Sequence, residues 1–363
     1  MSARRVAVTG IGLVTPFGPD RETSWAAIRE GRSATRRLTA ADGPEWSEFS
    51  RGRYGAIGAP LSRCLTDAGP AAGLPPASAD PVTMLALNAA REAVRDARLD
   101  FEAIDRDRVG CVIGTSKGGL RSFQRGMRNA ECGMRSHRST PSPAIPHSAL
   151  RTPHFQLPAS PTSESEFLAD WWLQFFPNTP ALAVARSLGA RGPALCPVAA
   201  CATGLLSLAR GAELVRDGRC DVVLAGSSDA SLLPIVLSSF RRLGVLAKRC
   251  EDPATACRPF DRRRYGFVIG EGAAVMVMEP LKVARARGAA LYAEWLAAGT
   301  AADAVGLTEL DPRAEGLTWL IGDVLRRAHV AAAEIDYVNL HGTATLPNDR
   351  CETRAIHAAF GPA

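Results

Sequence analysis

Two short stretches hold the residues whose types and spacing could do chemistry. In Pro193–Val215, PALCPVAACATGLLSLARGAELV, an apolar run (Ala194, Leu195, Val198, Ala199, Ala200) ends at Cys201. Leu205, Leu206, Leu208, Ala209, Ala212, Leu214 and Val215 then fall on nearly every face of a helix. A helix that is apolar all round is buried inside its protein. Cys201 is therefore expected where a buried strand turns into a buried helix. There the unpaired N–H groups of the first turn and the helix dipole stabilise a thiolate. Residue chemistry alone leaves two readings open, a nucleophile or a structural cysteine, since free Cys is among the most buried residue types. The second stretch is His341–Gly342–Thr343–Ala344–Thr345, followed by Asn348, Asp349 and Glu352. A histidine closing a buried strand can aim its ring into a cleft; its plainer reading is a hydrogen-bonded core histidine.

The segment CPVAACATGLLSLARGAELVRDGRCDVVLAGSSDAS resembles the nucleophile elbow of the β-ketoacyl synthases, the condensing enzymes of fatty-acid and polyketide assembly. The similarity extends over nearly the whole chain apart from one insertion. It implies a thiolase-like α/β fold, a duplicated α-β-α-β-α layering in which two related halves pack their sheets around central helices. It also implies that Cys201 is the nucleophile and that His341 is the first active-site histidine. Thr343 and Thr345 would then hydrogen-bond a phosphopantetheine arm, with Asp349 and Glu352 supporting the site from behind. The implied reaction passes an acyl group from a carrier thioester to Cys201; malonyl thioester then loses CO₂ and its enolate attacks the acyl-cysteine. A His341 N–H and the Cys201 backbone N–H would stabilise the two oxyanions.

No metal and no cofactor is implied beyond the phosphopantetheine that carries the substrates. The implied partners are an acyl carrier protein and a second copy of the chain, a homodimer joined along the strands beside the nucleophile. The alternative is a non-condensing homologue or partner subunit that binds acyl chains without turnover. The family pattern also carries a lysine and a second histidine, downstream of the first, in a glycine-rich segment. His329 and His357 lie in helical patterns without those glycines, so the second half is expected to be incomplete. The 363-residue chain is accordingly expected to accept an acyl group slowly and to condense poorly.

The elements that must position these residues follow from patterning. Arg5–Val14 has the pattern of a buried strand, and a helix follows at Thr23–Glu30. Gly10 and Gly12 invite a dinucleotide fingerprint, but Thr15 stands where its third glycine belongs and Pro16 interrupts the helix it requires. A helix from about Pro81 to Ala97 leads through Ile104–Asp105 to the strand Val109–Gly114. The same order recurs in helix Leu317–Ala328, Ile335–Asp336 and strand Tyr337–Leu340, with Leu99, Phe101 and Ile104 matching Val330, Ala332 and Ile335 at one constant offset. The repeat suggests a duplicated unit, and the resemblance implies an N-terminal half at 1–255 and a partial C-terminal half at 256–363. Asp221–Ala225 and Ala273–Met278 complete the strands. Residues 129–168, with recurring prolines from Pro141 to Pro161 and with His137, His147 and His154, have the composition of an extended surface insertion. Many members of the family carry aspartate where this chain has Tyr265.

Composition excludes several classes. Hydrophobic residues make up 46% of the chain, ample for a large core. The net charge of +6 is modest, and of 43 basic residues only Lys117, Lys248 and Lys282 are lysine, so neither a nucleic-acid nor a membrane partner is expected. Arg241–Arg242, Lys248–Arg249 and Arg262–Arg264 could face an acidic partner or simply solvent. Nine scattered cysteines give neither a disulfide framework nor a zinc pattern, in keeping with a reducing cytoplasm. No signal peptide or membrane span is apparent, and a cytoplasmic protein is expected.

Overall fold

The computed structural model describes residues 4–43, 46, 57–61, 79–127, 171–248, 251–306 and 308–361. The apolar start of the chain forms strand β1 (Val6–Val14), and Asp20 caps helix α1 (Arg21–Arg29) by accepting from the Thr23 N–H. Strands β2 (Arg36–Arg37) and β3 (Ile57–Gly58) make a small separate hairpin-like pair. Helix α2 (Pro81–Ala97) occupies the expected residues because both ends are specified. Asp80 accepts from Val82 N, Pro81 sits where no N–H is needed, and Arg98 closes the helix in the left-handed conformation at φ 51°. Strand β4 (Val109–Gly114) also forms where expected, buried along its whole length.

Helices α3 (Trp171–Phe175) and α4 (Thr179–Leu188) precede strand β5 (Ala194–Leu195), helix α5 (Thr203–Arg216) and strand β6 (Val222–Asp229). Then come α6 (Pro234–Arg242), β7 (Gly272–Pro280), α7 (Leu281–Ala286), β8 (Ala293–Trp295), α8 (Glu315–Ala328) and α9 (Leu346–Phe360). The main sheet has the order β5-β4-β6-β7-β1-β8, with β5, β4 and β6 parallel and the rest antiparallel. Helices α2 and α4 cover one face, packing Leu85, Ala89 and Val184 against Ile113 and Leu224 of β4 and β6. Helix α5 covers the other through Leu214 and Val215 against Val112 and Val223.

The two glycines of β1 serve this layering. A Cβ on Gly12 would overlap the Ala89 carbonyl, and one on Gly10 the Ala93 carbonyl, so they let α2 lie directly on the strand. That explains the incomplete dinucleotide pattern.

Two expectations need correction. Cys201 does not stand between a buried strand and a wholly buried helix. Strand β5 is short and lies at the sheet edge, and α5 buries Thr203, Ser207, Gly211, Ala212, Leu214 and Val215 while Leu205 is 70% exposed. An edge strand has a neighbour on one side only, so the outer face of the following helix stays open. Tyr337–Leu340 is no strand: no described segment pairs with it, and Tyr337 is 78% exposed. Helix α8 ahead of it buries none of its residues fully and packs on α9 through Leu317, Ile321, Cys351 and Ala355. The insertion at 129–168, with its three histidines, lies outside the described residues.

Candidate active site

The turn that presents Cys201 is built from strained backbone. After β5 the chain runs without regular structure to Ala199, and Ala200 takes φ 46°, a left-handed conformation costing a non-glycine residue about 1–3 kcal/mol. A single 3₁₀ turn, Ala200–Ala202, then feeds α5, and the Thr203 hydroxyl accepts from Ala199 N at 2.8 Å to pin the turn. Gly114, at the end of β4, abuts this corner so closely that a Cβ would overlap the Thr203 methyl. Cys201 is exposed at its apex.

A hydrogen bond with His341 is the largest influence lowering the Cys201 thiol below its ordinary range. Burial opposes it, while the charges of His341 and Lys117 and the backbone N–H assist. Burial instead raises the thiols of Cys196, Cys220, Cys257 and Cys351, and pushes Cys111 up to about 12. Cys201 is thus the one described cysteine whose thiol is shifted toward the thiolate.

His341 is presented by a loop held from α9, not by a strand. Gly342 and Ala344 sit at φ 55° and 59°, folding the loop tightly back on itself. Glu352 reaches up from α9 and accepts from His341 N at 2.6 Å, Gly342 N at 2.8 Å and Asn348 Nδ2 at 2.8 Å. Asp349, 1% exposed, lies three residues earlier on the same helix. It accepts from Phe260 N at 2.8 Å and forms an ion pair with Arg264 at 3.1 Å, without a hydrogen bond from Arg264 Nε. The hydrogen bond to Cys201 most strongly raises the His341 imidazole above its usual range. Burial opposes this, and the charges of Cys201, Glu352 and Asp349 add to it. The two shifts share a cause, each group acting on the other, so they belong to one coupled pair.

All six expected residues therefore gather at one place. Cys201 and His341 lie close enough to shift each other's titration, Glu352 holds the histidine loop by its backbone, and Asp349 ties α9 to Phe260 N and Arg264. Thr343 and Thr345 join hydroxyl to hydroxyl at 2.8 Å. Thr345 occupies the N-cap position of α9 yet makes no cap bond with its side chain, so both hydroxyls stay with the loop.

Sequence reading missed the cluster Ser116–Lys117–Asp229 beside the nucleophile, where Lys117 Nζ lies 3.1 Å from Asp229 Oδ2. Its one visible signal was Lys117 itself, a lysine where nearly every other basic residue is arginine. Arg264, expected on a solvated or partner-facing cluster, instead turns inward to Asp349. Tyr265 lies under Lys248, whose ammonium is 3.7 Å from the ring centroid.

A cavity of about 1100 Å³ lined by Arg4, Arg98, Asp105, Asp221 and Lys282 opens at the opposite end of the sheet, away from this chemistry. Among the described residues, no three or more His, Cys, Asp or Glu side chains are arranged to hold a metal ion. No described helix is long and apolar enough to cross a membrane.

Comparison with known proteins places this arrangement. The family model for the β-ketoacyl synthase N-terminal domain matches residues 3–284, and that for the C-terminal domain matches residues 292–363. The chain is 35% identical over 364 residues to the tetracenomycin polyketide synthase ketoacyl synthase alpha subunit of Streptomyces glaucescens, covering 99% of this chain and 77% of that protein. It is 31% identical over 360 residues to 3-oxoacyl-[acyl-carrier-protein] synthase 2 of Staphylococcus aureus, covering 99% and 78%. Among solved structures it is similar to a β-ketoacyl synthase from Burkholderia phymatum, with TM-score 0.79, 28% identity and coverage of 99% and 78%. It is similar also to a type II polyketide ketosynthase bound to a hexaketide and in complex with its acyl-carrier protein, with TM-score 0.78, 28% identity and the same coverage, 99% and 78%.

Proposed function

The chain belongs to the β-ketoacyl synthase family, and from that premise we propose that Cys201 and His341 carry out a decarboxylative condensation in fatty-acid or polyketide assembly. The observation that carries this reading is the pairing of Cys201 with His341, each the leading cause of the other's shift, the thiol lowered and the imidazole raised. The thiolate attacks the carbonyl of a carrier-bound acyl thioester; its sulfur–carbon bond forms as the carrier's breaks, and the carrier thiol leaves. Malonyl thioester then enters and loses CO₂. The resulting enolate carbon attacks the acyl-cysteine carbonyl, releasing Cys201 and extending the chain by two carbons.

Negative charge grows on a thioester oxygen in each step. His341, held by Glu352 through the backbone, is positioned to donate an N–H to the enolate oxygen, and the Cys201 backbone N–H serves the other oxyanion. Lowering the Cys201 thiol raises the share present as thiolate, the form that attacks in the first step. Thr343 and Thr345 offer hydroxyls for the amides of a phosphopantetheine arm, and an acyl carrier protein supplies that arm.

The second partner is another copy of the chain. The free edge of β5, with Val198 55% and Leu205 70% exposed beside it, is the surface it would cover. Light scattering at micromolar concentration should show a dimer, and a monomer alone would remove this element.

Incubation with radiolabelled acyl-carrier protein, followed by malonyl-carrier protein, tests the reaction. The expected result is label on Cys201, then CO₂ release with label leaving the protein. Label that never reaches Cys201, or reaches it equally in a Cys201→Ala variant, would sink the proposal.

A further inference from the structure

The condensation chemistry leaves one charged cluster beside the nucleophile without a task. Strands β5, β4 and β6 are parallel and adjacent, so their carboxyl ends open on one side, where α/β sheets bind ligands. Cys201 follows β5, Lys117 follows β4, and Asp229 closes β6. The register pairs Gly114 with Ser227, which brings the start of the Lys117 segment level with the end of β6.

Three contacts fix the lysine. Its Nζ donates to Ser116 Oγ at 2.5 Å and to Asp229 Oδ2 at 3.1 Å, and Ser116 donates to the same carboxylate oxygen. The other oxygen, Asp229 Oδ1, accepts from Ser231 N at 2.9 Å. Both carboxylate oxygens are thus engaged, and the ammonium keeps a donor unspent. An ammonium has three N–H donors, and the described residues take up two. The side chain is 31% exposed, so the remaining donor is neither sealed in the core nor lost to bulk solvent. It lies within electrostatic reach of the Cys201 sulfur.

An acyl group on Cys201 would occupy the same carboxyl-end opening of β5, β4 and β6 as this donor. A saturated chain would strip water from the ammonium and offer nothing in return. A chain with oxygen close to the thioester would replace that water with a charge-assisted hydrogen bond. We propose that Lys117 is a specificity-determining residue, donating to an oxygen of the acyl chain on Cys201, so that the site takes acyl groups bearing a carbonyl or hydroxyl near the thioester in preference to saturated alkyl groups. The inference rests on the acyl-transfer reading above and narrows its substrate class.

Two four-carbon probes differing in one carbonyl test it: the acetoacetyl and butyryl thioesters of N-acetylcysteamine. Loading of Cys201 is followed by intact-protein mass, and each rate is divided by the rate of the same thioester with glutathione to remove intrinsic reactivity. One hydrogen bond to a partly exposed charged donor corresponds to a preference of about 10-fold for acetoacetyl. Lys117→Met should bring the ratio to about one, and Lys117→Arg, which keeps a charged donor, should retain most of it. Because the readout is a ratio, a general loss of thiol reactivity in either variant cancels. Iodoacetamide labelling of Cys201 verifies that each variant keeps its folded site. Equal loading of both probes by the natural chain, or an unchanged ratio in Lys117→Met, overturns the inference and leaves the acyl-transfer reading standing. Loading of neither probe by a chain whose Cys201 still alkylates removes both.

Discussion

Helix α2 with β4 and helix α8 with Tyr337–Leu340 share one sequence pattern and reach different ends. Both helices stop at a non-glycine residue in the left-handed conformation, Arg98 at φ 51° and His329 at φ 55°. Both caps bond back in the same way, Leu99 N to Val94 O and Val330 N to Leu325 O. Beyond the caps the two part. Val109–Gly114 is buried between β5 and β6, whereas Tyr337–Leu340 has no strand partner among the described residues and Val338 is 39% exposed. Local sequence therefore specifies the helix and its stop, while strand character comes from neighbours that supply hydrogen bonds and cover both faces. The consequence for the site is direct: the nucleophile is positioned by a packed sheet, and the histidine by one buried carboxylate.

Packing offers the strongest test of that contrast. Ile113, 0% exposed in β4, sits in the core between sheet and helices, so Ile113→Ala should destabilise by about 2–5 kcal/mol. Val338→Ala, at a half-open position in the matching segment, should stay within about 0.5 kcal/mol. Thermal unfolding of both variants gives the answer. Comparable losses would mean that Tyr337–Leu340 is packed like β4 in solution.

The next effect concerns the histidine. His341→Ala removes the leading cause of the lowered Cys201 thiol, so the pH midpoint for alkylation of Cys201 by iodoacetamide should rise toward the ordinary thiol range. Removing the oxyanion donor should also cut condensation about 10²–10³-fold. An unmoved alkylation midpoint would break the coupling between the two regions.

Where these elements were legible in sequence, a local cause can be named. Helix α2 announced both its ends through Asp80 and Pro81 on one side and the change of pattern after Ala97 on the other. Strand β4 was visible because a strand covered on both faces is uniformly apolar. Cys201, His341, Thr343, Thr345, Asp349 and Glu352 were named through resemblance. What stayed hidden depends on distant pairing. The open face of α5 follows from β5 lying at an edge, and the Lys117–Asp229 pair follows from β4 and β6 being neighbours. Neither fact is written in any local window. Tyr337–Leu340 failed for the same reason, since its pattern suits a strand but its surroundings supply none.

A smaller effect probes how the histidine loop is held. Glu352→Gln keeps a carbonyl oxygen near His341 N but leaves one of the clamped N–H groups without its acceptor, for a loss of about 1–3 kcal/mol. Because the Glu352 charge helps hold the imidazole above its usual range, the same variant should move the His341 limb of the alkylation profile to lower pH. Unchanged stability together with an unmoved limb would show that the loop is held by something other than this carboxylate.

The smallest effect addresses the feature that the two units share. A non-glycine residue in the left-handed conformation costs about 1–2 kcal/mol, because its Cβ crowds the following carbonyl. Glycine removes that crowding but gives back about 0.5–1 kcal/mol through the greater freedom of the unfolded chain. Arg98→Gly and His329→Gly should therefore each stabilise by about 0.5–1 kcal/mol, although one cap leads into a buried strand and the other into an exposed segment. Neither side chain makes a hydrogen bond or ion pair among the described residues, so backbone strain dominates the balance. Calorimetry of the two variants decides the matter. Equal gains mean that the cap is a local property, repeated in both units whether a strand or an open segment comes after it. A gain at Arg98 with none at His329 would mean that the second helix frays before its cap in solution, and that packing governs helix ends here as it governs the strands.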